Sequence, residues 1–161
     1  ERSGTHGAAG MDLALAVGEG PPLLSALAPD GPLVDARSVV HLGLREEDPA
    51  LRASGVGVLD LSEIERQGPS AVAGQVLERL APLPGFWIHV DADVLDDTLM
   101  PAVDSRVPGG LSYEALVGLL RPLLASPRAI GVEFTIYDPD LDPEGSVGRA
   151  FTAALVEALR P

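Results

Sequence analysis

The chain has 161 residues, enough for one domain with a hydrophobic core. Its 11 basic residues are all arginine and 24 residues are acidic, so the formal net charge is −13, which argues against a nucleic-acid or anionic-membrane binder. Lysine and cysteine are absent, so no Schiff base, phosphate-cradling lysine, disulfide or thiolate ligand can come from this chain.

The predicted elements alternate. Residues 11–17 and 23–27 read as helical pieces separated by the glycines and prolines of 18–22. The apolar run Val39–Leu42, bounded by turn residues, predicts a strand, and Pro49 opens a short helix over 49–54. Gly55–Leu59 predicts a second strand, and 70–80 a helix with Val72, Val76, Leu77 and Leu80 at helical spacing. Phe86–Val90 predicts a third strand. Ser112 has the chemistry of an N-cap for a helix over 112–124, with Leu116, Leu119, Leu120 and Leu123 on one face. Ala129–Phe134 predicts a fourth strand and 146–159 a closing helix. Short strands that look apolar on both faces, alternating with helices, predict a mainly parallel sheet covered by helices, in one domain. With 46% hydrophobic and 4% aromatic residues, its core is expected to be Leu, Val and Ala. No run approaches the roughly 18 apolar residues of a membrane span, and no basic-then-apolar leader opens the chain, so a cytoplasmic protein is expected.

Parallel sheets bind ligands at the carboxyl ends of their strands. The end of the third strand carries His89-Val90-Asp91-Ala92-Asp93-Val94-Leu95-Asp96-Asp97. Strand alternation puts His89, Asp91 and Asp93 on one face, with the two carboxylates roughly 6–7 Å apart. Such a pair repels itself and suits a hard divalent cation. The bland alternative is a solvated acidic turn.

Two families carry Asp-x-Asp at a strand end. Phe86–Leu95 fits the haloacid-dehalogenase-like phosphatase pattern, in which the first aspartate is a nucleophile and the second a general acid. That family normally steadies phosphate with a lysine and carries the motif near its N-terminus, unlike this chain. The longer context resembles the arginase/agmatinase (ureohydrolase) superfamily. The matching segments are Asp91-Ala92-Asp93-Val94-Leu95-Asp96, then Pro101, then Pro108-Gly109-Gly110-Leu111-Ser112. Gly10-Met11-Asp12-Leu13-Ala14, Gly43-Leu44-Arg45-Glu46-Glu47-Asp48-Pro49 and Gly131-Val132-Glu133 through Asp138-Pro139 match in the same order.

The resemblance implies a three-layer α/β/α arginase-like fold and a binuclear manganese site, at which activated water attacks a guanidinium or amidine carbon. Asp91 and Asp93 match two of the family's metal ligands. Asp48 matches a position that helps bind the substrate's amino group, and Glu133 a position that supports the metal site. A small cationic guanidino or amidino substrate and a homo-oligomer, trimer or hexamer, are implied as well. The family's Asp-Ala-His-x-Asp ligand element and early strands are expected to lie outside this chain, which reads as the C-terminal part of such a domain. Arginases and agmatinases carry a guanidinium-gripping Glu three residues before the proline of the late loop; here that position is Ile136. A catalytically degenerate relative is therefore the second reading, and Glu133 a candidate substitute in substrate binding.

The remaining features read as structural. His6 is expected in an exposed loop, His41 as a hydrogen-bonded strand residue and His89 as a buried, satisfied imidazole. Residues 138–145 read as an acidic turn before the last helix rather than a calcium loop, since Pro143 stands where that loop needs glycine. Gly109-Gly110 reads as a tight turn rather than a phosphate loop.

Overall fold

The structure, a computed structural model, describes residues 8–160. Strands and helices alternate in an α/β fold. The chain forms two compact units, one running to His41 and including Glu47–Val58, the other made of Leu42–Glu46 and the residues from Leu59 onward.

The first unit holds three short helices, α1 (Asp12–Ala16), α2 (Pro22–Ser25) and α3 (Pro49–Ala53). A 3-10 turn over Ala8–Met11 precedes α1, which falls within the expected helical piece 11–17. α2 stops at Ser25, whose hydroxyl donates back to the carbonyls of Gly20 and Pro21. Pro49 sits in the first turn of α3, where its missing N–H costs nothing.

β1 (Val40–Leu44) and β2 (Gly57–Asp60) form one two-stranded sheet. β3 (Phe86–Asp91) and β4 (Ala129–Thr135) form another and run parallel. One helix that the sequence reading passed over, α4 (Leu61–Gln67), follows β2 directly. Its signal is a capping box: Asp60 Oδ1 accepts from the Glu63 N–H at 2.9 Å, and Glu63 Oε2 accepts from the Asp60 N–H at 3.0 Å.

The core of the second unit is built by α5 (Pro69–Arg79), α6 (Tyr113–Leu124) and α7 (Ser146–Ala158), with α6 packed between the other two. Ser112 caps α6 by accepting from the Ala115 N–H. Leu116, Leu119, Leu120 and Leu123 are all buried, each contributing about 1.5–3 kcal/mol. Pro122 lies inside α6 and cannot donate to the Gly118 carbonyl one turn back; the Ser70 hydroxyl donates there instead, at 3.4 Å. On the sheet, Phe86, Ile88 and Val90 are buried, and Phe134 meets Phe151 of α7 edge-on at 6.0 Å. α7 therefore covers this face of β3–β4.

Candidate functional site

β3 is not apolar on both faces. Its residues alternate strictly: Phe86, Ile88 and Val90 are buried, while Trp87 and His89 are exposed and Asp91 is half-exposed. The parallel register sets His89 opposite Glu133 and Asp91 opposite Thr135. The open face of the sheet therefore carries a polar group that spans both strands.

His89 is the centre of that group, and it is not the buried imidazole expected from sequence. Its side chain is 47% exposed. Nδ1 lies 2.8 Å from Glu133 Oε1 and Nε2 lies 3.2 Å from Asp91 Oδ1. The Thr135 hydroxyl also donates to Asp91 Oδ1. Partial burial lowers the imidazole pKa, but the Glu133 hydrogen bond and the charges of Asp91 and Glu133 outweigh it, and the net shift is upward. Two ionised carboxylates only accept, so both ring nitrogens carry hydrogen when both partners are charged.

The strand ends at Asp91 and the chain turns into a 3-10 helix over Ala92–Val94. Strand alternation therefore does not reach Asp93, which sits in this turn and not on the strand face. The turn still brings the two carboxylates close. Burial and the neighbouring charges of Asp91 and Asp104 push the Asp93 carboxyl above its ordinary pKa, against a downward pull from Arg45. Arg45 also clamps the turn: Nη2 donates to the Asp93 carbonyl and Nη1 to the Val107 carbonyl, each at 2.8 Å. This residue stood within a recognised segment, but its role depends on contacts that spacing does not reveal.

The third aspartate of the motif, Asp96, is occupied by the loop itself. Its carboxylate accepts from the Thr98 hydroxyl and N–H and from the Gly109 N–H, which hold its pKa down to about 2. Leu111 donates to the Val94 carbonyl and accepts from the Asp96 N–H, so the two backbones run side by side. A Cβ on Gly110 would lie 2.3 Å from the Leu95 carbonyl carbon. Gly109, at φ +75°, makes the tight turn expected from sequence, and Gly110 adds a close backbone approach that was not expected.

Glu133 faces the open side of the sheet, hydrogen-bonded to His89. Asp48 belongs to the other unit, where its Oδ1 caps α3 by accepting from the Ala50 and Leu51 N–H groups at 2.9 and 3.0 Å. Ile136, just past β4, has φ +72°, a left-handed conformation that is strained for a β-branched residue. His41 lies within β1, and His6 falls outside the described residues. The acidic turn before α7 is structural: Asp142 is 7% exposed and accepts from the Gly148 N–H, the Tyr137 hydroxyl and the Ser146 hydroxyl.

Asp91 and Asp93 are hard oxygen donors, and the Asp93 carboxyl is pushed up first by burial and then by the charge of Asp91, both of which a neighbouring cation would offset. The pair fits a divalent ion as a partial donor set. Among the described residues no three His, Asp or Glu side chains are grouped to hold one ion unaided.

A sequence profile of the Arginase family matches residues 5–159. The arginase of Bacillus subtilis (strain 168) is 30% identical over 154 residues, covering 93% of this chain and 52% of the relative. An N(1)-aminopropylagmatine ureohydrolase of Thermus thermophilus is 32% identical over 126 residues, covering 76% of this chain and 40% of the relative. A crystal structure of arginase from Bacillus subtilis superposes with a TM-score of 0.83 at 29% identity, covering 94% of this chain and 53% of that one. The chain thus spans about half the length, or less, of the curated relatives it matches. The family match decides between the two families that the Asp-x-Asp motif raised, and the fold agrees with it: this chain belongs to the arginase family.

Proposed function

We propose that the chain is part of a manganese-dependent hydrolase of the ureohydrolase type, acting on a C–N bond of a small cationic guanidino or amidino compound. The observation that carries this reading is the turn after β3. It holds Asp93 close enough to Asp91 to feel its charge, and Arg45 clamps the turn through the Asp93 carbonyl. An arginase and an aminopropylagmatine ureohydrolase among the relatives support the substrate class. The net charge of −13 favours a cationic substrate.

On this reading Asp91 and Asp93 hold the metal. When bound, the metal acts as a Lewis acid and makes water a competent nucleophile at neutral pH. Glu133 supports the site through its hydrogen bond to His89. Asp48 is the proposed partner of the substrate's cationic group, although its Oδ1 is engaged in the α3 cap. A cytoplasmic homo-oligomer, trimer or hexamer, belongs to the same reading and rests on the family resemblance.

The test is hydrolysis of a panel of guanidino and amidino compounds by the whole protein that carries this chain, with Mn²⁺, followed by urea and ammonia release. The reading predicts Mn²⁺-dependent release that falls about 100-fold or more in Asp91→Asn and Asp93→Asn. Release that survives both substitutions contradicts it.

A catalytically silent member of the family is the second reading, favoured by Ile136. An aliphatic side chain cannot accept the hydrogen bonds of a guanidinium. The whole protein that carries this chain, folded and Mn²⁺-loaded but releasing neither urea nor ammonia from any compound of the panel, supports this alternative.

A further inference from the structure

We propose that His89 is a positioning residue: its imidazole, clamped between Glu133 and Asp91, fixes the Asp91 carboxylate in one rotamer, and Glu133 acts on the site through it. The clamp runs in two directions. Nδ1 reaches across the parallel register to Glu133 at 2.8 Å, and Nε2 reaches along β3 to Asp91 Oδ1 at 3.2 Å. The Thr135 hydroxyl approaches the same Oδ1 from β4. Both of these contacts on the Asp91 carboxylate fall on Oδ1, so neither His89 nor Thr135 occupies Oδ2. A carboxylate held this way loses no rotamer freedom when it coordinates, which is how outer partners raise the affinity of a metal site.

Glu133 fits this arrangement as the far anchor. An imidazole held only by Asp91 could turn about its side-chain torsions, but one held at both nitrogens cannot. The side chains of His89 and Glu133 are about half-exposed, so changing either opens no core cavity. The use of this brace rests on the reading of Asp91 as a metal ligand; its geometry does not.

The experiment uses the isotopically labelled 161-residue chain. Three-bond couplings from the Asp91 Cγ to its backbone N and C′ report the rotamer without metal. Loss of the free Mn²⁺ spin-resonance signal reports affinity. The wild-type chain should show one Asp91 rotamer. His89→Leu should show averaged couplings and a 10- to 100-fold loss of Mn²⁺ affinity, at an unchanged melting temperature. His89→Gln keeps an amide donor for Oδ1 and should restore most of both. Glu133→Leu should loosen Asp91 to a smaller extent, and gives a second route if His89→Leu folds poorly. An Asp91 rotamer and affinity that are indifferent to His89→Leu and Glu133→Leu overturn the proposal. Where the partial donor set of this chain holds Mn²⁺ too weakly to measure, the couplings decide: averaged Asp91 couplings in His89→Leu support the brace, and unchanged couplings overturn it.

Discussion

The acidic turn after β3 and the acidic turn after β4 look alike in sequence and differ in what occupies their carboxylates. After β4, Asp142 is filled by donors: the Gly148 N–H, the hydroxyls of Tyr137 and Ser146, and the first turn of α7. These hydrogen bonds, the Gly148 N–H first, pull its pKa down against the effect of burial. After β3, Asp96 is treated the same way by Thr98 and Gly109. Asp93 is not. Burial and two neighbouring carboxylates push it up, and the Arg45 guanidinium that offsets them directs its own N–H groups to backbone carbonyls. A carboxylate whose oxygens are filled by backbone donors serves the fold. One kept among like charges at a strand's carboxyl end is, on the proposed function, the one available to a cation. Density of Asp and Glu does not separate the two cases; the supply of donors does.

The largest effect that would break this contrast is at the loop that shapes the first turn. Gly110→Ala places a Cβ 2.3–2.5 Å from backbone atoms of Leu95 and Asp96, which cannot move as a flexible side chain would. Urea unfolding should show a loss of about 3 kcal/mol or failure to fold. Next comes the filled carboxylate. The folded pKa of Asp142 is depressed, so its contribution is present above the ordinary carboxylate range and is lost as pH falls through the folded pKa. Asp142→Asn should lower the melting temperature at pH 7, and the gap from wild type should close in acid. A gap that is constant with pH contradicts the assignment.

Ile136→Gly releases the left-handed strain just past β4 and should stabilise the chain by about 1 kcal/mol. No gain would mean that Ile136 contacts offset the strain. The smallest expected effect is the sharpest. The folded pKa of Asp93 is raised, so any stability linked to it is present only below its unfolded pKa and is lost as pH rises through the folded value. At neutral pH the ionised form is a burden. Asp93→Asn should therefore raise the metal-free melting temperature slightly, by less than about 1 kcal/mol because the group is half-exposed. Asp142→Asn acts in the opposite direction.

Much of this was legible in the sequence. Ser112 announced α6, Pro49 announced α3, and the leucines of α6 announced the helical face. The Asp-x-Asp, Gly-Gly and late-strand segments, taken in order, identified the family. The Asp60–Glu63 capping box is equally readable in the sequence, although no long apolar period follows it. His89 was misplaced because a run of apolar and aromatic residues suggested a doubly buried strand. The period of two, with Phe86, Ile88 and Val90 against Trp87, His89 and Asp91, carries the correct answer. The role of Thr135 and the pairing of His89 with Glu133 come from cross-strand register, and the Arg45 clamp joins residues 48 and 62 positions apart; no local pattern encodes either. Asp93 leaves the strand face because the backbone tightens into a 3-10 turn one residue after Asp91.

The central claim, that the turn after β3 holds a cation while the turn after β4 holds only the fold, is tested most directly by Mn²⁺ titration of three chains. These are wild type, Asp93→Asn and Asp142→Asn, each followed by the spin-resonance signal of free Mn²⁺ at a pH where all fold. The account predicts that Asp93→Asn binds at least about 10-fold more weakly than wild type while Asp142→Asn binds as wild type does. Equal affinity in wild type and Asp93→Asn, or a loss confined to Asp142→Asn, would contradict it.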